Sequence, residues 1–270
     1  MKFENTEVWG FEHAFRGMRN PMNSWNKSDS FYGCNNTING EYKKCVHCFE
    51  AIECNQFEKQ YVLGEKDIEL AQKLIKAGPE HRKFLRQIMV SVDITAPIYW
   101  WKEADTYKIG TTANSTSTMH KLTSQPITID CFEIDDYQPD LVWLDYIDIT
   151  GDTPSHITES VDDIVAGEGL YYEETIINLL ESLRKKYLET KDKRYWKELI
   201  RWLPESWLQT RTVTMNYENL YSMIRQRKNH KLNEWSGKDN DKLPNFISWV
   251  KTLPYSKELL FYGLSEGSNE

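Results

Sequence analysis

The chain has no apolar run of about eighteen residues, the length that a bilayer-crossing helix needs, so no spanning segment and no membrane partner is expected. It has no excess of base either: 33 Lys and Arg stand against 41 Asp and Glu, a net charge of −8. A general nucleic-acid binder needs clustered cations against phosphate, so that class is excluded. A local basic pocket for one phosphate is not. The opening residues, MKFENTEVWGFEH, carry acids where a signal peptide needs basic and apolar blocks, and the expected location is the cytoplasm. Internal repeats and low-complexity tracts are missing as well.

Cysteine is scarce and unevenly placed. Cys34, Cys45, Cys48 and Cys54 fall within 21 residues, and Cys131 stands apart. Disulfides are not expected in a reducing compartment. Cys45-Val46-His47-Cys48 is a CxxC run, and four thiolates can close a tetrahedral structural zinc site. The flanking spacings match no standard knuckle, so reduced surface thiols are the other reading. Measuring zinc on the purified protein decides between them.

At 270 residues, 40% hydrophobic and 27% charged, the chain is long enough to bury a sizeable core. One domain is expected. A cysteine-bearing insertion interrupts it at about 31–57, and an acidic surface excursion, rich in acids and poor in bases, at about 133–168. The chain is organised around Phe84–Leu122. Met89, Val90, Val92 and Ile94 alternate with Ser91, Asp93 and Thr95, the pattern of a half-buried strand, and Pro97 stops it. After Gly110 come Thr111, Thr112, Asn114, Ser115, Thr116, Ser117, Thr118 and His120. Flanked by apolar segments, these hydroxyls and amides suit directional hydrogen bonds to a ligand; a solvated loop is the plainer alternative.

Helices are expected over Gly64–Ala77, Tyr171–Thr190, Arg194–Leu203, Asn216–Trp235 and Leu243–Leu253, and a second strand over Leu208–Thr214. Asn216 suits an N-cap. Arg225, Arg227, Lys228, His230 and Lys231 crowd the far end of the fourth helix. Cations favour a helix C-terminus through its dipole. They equally suit a phosphate, which arginine grips with a planar fork. Arg16 and Arg19 lie three apart, on one helical face, where they can face water or grip an anion.

The order of these elements resembles the flavin-dependent thymidylate synthases (ThyX family) over roughly 64–122 and 171–253. Against the family signature RHRxxSxNExSxRY stands Thr106-Tyr107-Lys108-Ile109-Gly110-Thr111 and, after one extra residue, Asn114-Ser115-Thr116-Ser117-Thr118-Met119-His120. Asn114 and Ser117 keep the signature's Asn and second Ser, and Thr111 stands for the first Ser. Thr-Tyr-Lys replaces Arg-His-Arg, and Ser115 replaces Glu. The later TxNxRxL motif is similar to Thr214-Met215-Asn216-Tyr217-Glu218-Asn219-Leu220, followed by Gln226-Arg227 at the family's distance from Asn216. His230 lies one residue from the family's histidine. Gly78-Pro79-Glu80-His81-Arg82-Lys83-Phe84-Leu85-Arg86 is similar to GHxSPFEH, with Arg86 near its flavin-contacting His.

The resemblance implies an α+β fold with a central mixed or antiparallel sheet flanked by helices, and a homotetramer with sites built between subunits. It implies FAD, with dUMP stacked on the flavin, methylenetetrahydrofolate as carbon donor and NADPH as reductant. No protein nucleophile is required; the protein positions and stabilises. By carry-over, Arg227, Ser115, Ser117 and Lys108 meet the substrate, with Ser117 the candidate catalytic residue. Asn114, Thr111, Arg86, Asn216, Ser222 and His230 meet the cofactor. Two members of the Arg-His-Arg triplet are gone, and Glu218 reverses a charge, which beside a phosphate is unfavourable. The implied activity is reductive methylation of dUMP. Two alternatives are a related pyrimidine nucleotide modification such as hydroxymethylation and a non-catalytic interaction protein of the same fold.

Overall fold

The structure, a computed structural model, describes residues 1–33, 37–38, 41–42, 60–135 and 172–264. In chain order the first elements are β1 (Lys2–Trp9), α1 (Phe11–Arg19), β2 (Phe31–Gly33), β3 (Thr37–Ile38), β4 (Glu41–Tyr42), β5 (Gln60–Val62) and α2 (Glu65–Ala77). Then come β6 (Met89–Pro97), α3 (Ile98–Ala104), β7 (Thr112–Ser115), α4 (Thr118–Lys121), α5 (Tyr172–Thr190) and α6 (Lys193–Arg201). The chain closes with β8 (Leu208–Asn216), α7 (Tyr217–Arg227), α8 (Asn233–Ser236) and α9 (Phe246–Lys251). The fold is α+β, an antiparallel sheet of order β1-β6-β8-β7 flanked by helices, as expected. No described helix is long and apolar enough to cross a membrane.

The chain divides into two compact units. The larger holds Lys2–Ile94, Ala104–Asn114 and Arg211–Glu270; the smaller holds Met1, Thr95–Glu103 and Ser115–Thr210. In the larger unit, Val90, Val92 and Ile94 of β6 and Val213 and Met215 of β8 are buried on one face of the sheet. On the other face Ser91 Oγ meets Thr214 Oγ1 (3.3 Å), and Asp93 accepts from Thr212 Oγ1 (2.5 Å) and Asn5 Nδ2 (2.8 Å). These pairs fall where antiparallel strands put cross-strand neighbours. Asn5 departs from extended backbone, with φ 51°.

β1 was not expected, nor was β7. The whole of β7 is exposed, and β1 exposes most of its residues on both faces. Alternation marks a strand only when one face is buried, so these two sheet edges carry no such mark. The fourth expected helix also differs. It stops at Arg227, and Asn233–Ser236 forms a separate turn of helix.

Helix α2 begins where Asp29 accepts the backbone N–H groups of Lys66 (3.0 Å) and Asp67 (3.1 Å), a cap supplied from outside the helix. A Cβ at Gly64 would come within 2.2 Å of the Asp29 carboxyl and 2.6 Å of its backbone, so only glycine allows this approach. Asp67, in the first turn of α2, is fully buried and accepts from Arg19 Nε (2.6 Å) and Nη2 (2.5 Å). Its other oxygen accepts from Ser28 Oγ (2.6 Å) and Ser30 Oγ (2.5 Å). Arg19 therefore does grip an anion, an internal one, while Arg16 lies exposed over the Trp25 ring. The pair ties α1, residues 28–30 and α2 together.

Hairpin β2–β5 sets Gly33 opposite Gln60. The insertion between them, with Cys34, Cys45, Cys48 and Cys54, lies outside the described residues, as does nearly all of the acidic excursion. Among the described residues no cluster of His, Cys, Asp and Glu could hold a metal.

In the smaller unit α5 and α6 pack Leu180 and Leu199 against Leu122, Ile127 and Phe132. Glu181 pairs with Arg184 (2.6 Å) and accepts the Ile127 backbone N–H (3.0 Å), while Arg184 Nη1 donates to the Thr123 carbonyl (3.3 Å). Hydrogen bonding from Arg184, helped by the Ile127 N–H, holds the Glu181 carboxyl below the ordinary glutamate pKa.

Two predictions concern stability. Asp67→Ala leaves Arg19 buried without its counter-charge and should cost about 3–5 kcal/mol in urea unfolding at neutral pH. Because the Glu181 pKa is depressed in the folded state, its contribution is present above the ordinary glutamate value and is lost as pH falls through the folded value. Glu181→Gln should therefore lower stability at neutral pH and leave a shallower acid limb, read from thermal unfolding across pH.

Candidate functional site

The larger unit brings the loop after α3 onto α7. Asn216 caps α7 by accepting the Asn219 N–H (3.0 Å), and Asn219 answers by accepting the Asn216 N–H (3.2 Å), a reciprocal capping box. Asn219 Nδ2 also donates to the Ile109 carbonyl (2.7 Å). Gly110 turns the loop with φ 78°, and a Cβ there would press on the Asn219 and Asn216 amides at 3.0 and 3.1 Å. Thr111 Oγ1 donates to the Tyr107 carbonyl. Two turns along the helix, Tyr107 Oη donates to Gln226 Oε1 (3.0 Å) and accepts from Arg227 Nε (2.8 Å). Asn219, Ser222 and Gln226 thus share the helix face that meets the loop. The Arg227 guanidinium lies 5.4 Å from the Tyr107 ring centre and 5.0 Å from that of Trp235.

The other arginines of this region are held inside the fold. Arg225 donates to the carbonyls of Tyr221 (3.0 Å), Leu260 (3.1 Å) and Tyr262 (3.0 Å) and lies 3.1 Å over the Tyr221 ring. Burial lowers its pKa from the ordinary arginine value. Arg211 pairs with Asp105 (2.7 Å). Glu218, the charge reversal noted in the motif, is matched by Arg82, whose Nε lies 3.1 and 3.0 Å from its two carboxylate oxygens. The Arg82 guanidinium, like that of Arg225, lies over the Tyr221 ring, 4.3 Å from its centre.

Of the residues singled out in the sequence, Lys108, Thr111, Asn216, Ser222 and Arg227 gather on this loop and helix. Lys108 is exposed, Ser222 half-buried. The oxygen of Asn216 serves the helix cap. His230 accepts the Leu232 N–H on Nδ1 (3.1 Å) and lies 6.3 Å from the Trp235 ring, one turn beyond the end of α7. Arg86 is exposed on the 3₁₀ segment Arg82–Gln87, and Asn114 is exposed on β7. Ser115 and Ser117 belong to the smaller unit. There Ser117 caps α4 by accepting the His120 N–H (3.1 Å). Tyr107, Gln226, Asn219 and Arg82 were not singled out as site residues. Arg82 was findable, since a lone acid inside a basic motif calls for a cation elsewhere. Tyr107 was not, because nothing in its neighbours announces a hydrogen bond to a helix more than a hundred residues away.

No family model matches the chain, and no curated protein matches it in sequence. Solved structures do match in fold. The flavin-dependent thymidylate synthase ThyX from Helicobacter pylori, complexed with FAD and dUMP, aligns with a TM-score of 0.55 at 15% identity, over 96% of this chain and 98% of its own. A second structure of ThyX from the same organism, with FAD and dUMP, aligns with a TM-score of 0.56 at 15% identity, over 99% and 100%. At that identity the likeness is one of fold.

Arg82 and Glu218 should behave as one coupled unit. A double-mutant cycle with Arg82→Ala and Glu218→Ala, read by urea unfolding, should give a coupling energy of about 0.5–3 kcal/mol.

Proposed function

We propose that the chain is a divergent flavin-dependent thymidylate synthase, acting on dUMP with methylenetetrahydrofolate as carbon donor and NADPH as reductant, as a cytoplasmic homotetramer. The observation that carries this reading is Arg227. It stands in the last turn of α7, half-buried, with Nε on the Tyr107 phenol and its guanidinium over the Trp235 indole, beside a loop that presents Lys108. The fold shared with proteins that hold FAD and dUMP supports it.

The donors present suit a phosphate-bearing ligand. Arg227 offers a planar fork and Lys108 a mobile point charge, and both match a nucleotide phosphate. Arg86, Asn114, Thr111 and Ser222 would hold the flavin, with Asn216 and His230 contributing only the groups that their internal hydrogen bonds leave over. FAD, when bound, would supply the redox chemistry that the chain's own side chains lack. The residues position the nucleotide and stabilise its charge. In the smaller unit the Ser117 hydroxyl already caps a helix.

A non-catalytic protein of the same fold has one observation in its favour. Ser117, Asn216 and His230 all have structural hydrogen bonds that explain them without a ligand.

The enzyme reading expects flavin absorbance in the visible spectrum after incubation with FAD and gel filtration, and dUMP binding measurable by calorimetry. Arg227→Ala should weaken that binding by about 2–5 kcal/mol, the cost of truncating one partner of a buried charge pair. A colourless protein that binds no dUMP decides for the non-catalytic reading.

A further inference from the structure

The 3₁₀ segment Arg82–Gln87 packs against both α1 and α7 in the larger unit. Phe84 and Leu85 are buried and hold it to the core. At its end Gln87 is received by two glycines. A Cβ at Gly10 would lie 2.1 Å from the Gln87 carbonyl oxygen, and one at Gly17 would lie 2.8 Å from Gln87 Oε1. Only residues without a Cβ let α1 approach so closely. At its start Arg82 is committed inward, with Nε on both oxygens of Glu218 (3.1 and 3.0 Å) and its guanidinium over Tyr221. The segment is thus fixed at both ends. Its outer side carries Lys83 and Arg86, and both are exposed. Neither side chain has an ion pair, a hydrogen bond or a ring contact among the described residues.

A 3₁₀ helix has three residues per turn and rises about 2 Å per residue, so Lys83 and Arg86 lie one above the other, about 6 Å apart along the axis. Two like charges on one ridge repel. Arg19 and Arg82, in the same unit, each face a carboxylate; these two do not. Glu80, exposed just ahead of the segment, pairs with neither. A fixed pair of outward cations in an acidic chain suits an anion with two charges in a row, and a diphosphate is such an anion. Arg86 offers it a planar fork and Lys83 a point charge. We infer that Lys83 and Arg86 together hold the diphosphate of a flavin dinucleotide. This deepens the reading of Arg86 as a flavin ligand and rests on it: Arg86 meets the phosphates, and Lys83 joins it there.

The test titrates FAD into the full chain, followed by fluorescence quenching, at about 50 and 200 mM salt, a range over which phosphate contacts weaken steeply. The double variant Lys83→Gln/Arg86→Gln should bind FAD about tenfold more weakly at the lower salt, the size of two exposed ion pairs. Its salt dependence should be shallower than that of wild type. Its melting temperature should stay close to wild type, since neither side chain has an internal partner. A control, Lys193→Gln/Lys197→Gln, removes the same charge from exposed positions on α6 and should bind FAD as wild type does. Two results overturn the proposal and leave the proposed function in place. One is unchanged FAD affinity in the Lys83→Gln/Arg86→Gln variant. The other is an equal loss in the α6 control, which makes the effect one of net charge. If wild type binds no FAD at either salt concentration, the flavin reading itself fails and takes the inference with it.

Discussion

The pairing of β6 with β8 is the constraint on which the larger unit depends. One face of the two strands is hydrocarbon and is buried; the other is a ladder of Ser91, Asp93, Thr212 and Thr214. Slipping either strand by one residue would turn the hydroxyls inward and the valines to water, so the register has one solution. That solution places the end of β8 beside the start of β6, where Tyr217 N–H donates to the Ile88 carbonyl (2.9 Å). Helix α7 therefore starts from a fixed point, and every residue along it, through Arg227 in its last turn, inherits its position from the sheet.

How much of this could be read beforehand follows from where the hydrocarbon lies. The strands β6 and β8 and the helices α2, α5 and α6 each bury one face and leave a periodic trace, and their bounds were anticipated to within two residues. The edge strands β1 and β7 bury neither face and left none. In the candidate site, Arg227, Lys108, Thr111, Asn216 and Ser222 could be picked out because cations and hydroxyls in a motif are visible as residue types. Their partners could not. That Tyr107 holds Arg227, and that Arg82 answers Glu218, depends on pairings 120 and 136 residues apart, which no local pattern carries. Asn216 was read both as a helix cap and as a ligand group, and the cap is what its oxygen serves.

Electrostatically, this acidic chain matches much of its positive charge within the fold. Arg19 faces Asp67, Arg82 faces Glu218, Arg211 faces Asp105, and Arg225 sits on three carbonyl oxygens. Arg227 lies against Tyr107 and Trp235, through the phenol oxygen and two π faces.

The sheet's borders have a further consequence. A bare strand edge invites another chain to add a strand of its own, the route to fibres and insoluble deposits. Here one border carries Lys2, Glu4 and Glu7, and its backbone swings into the left-handed region at Asn5, whose amide is drawn onto Asp93. A newcomer strand would have to follow that swing and set its own side chains among those charges. Copies of this chain crowded together are thus steered away from adding a strand at this border.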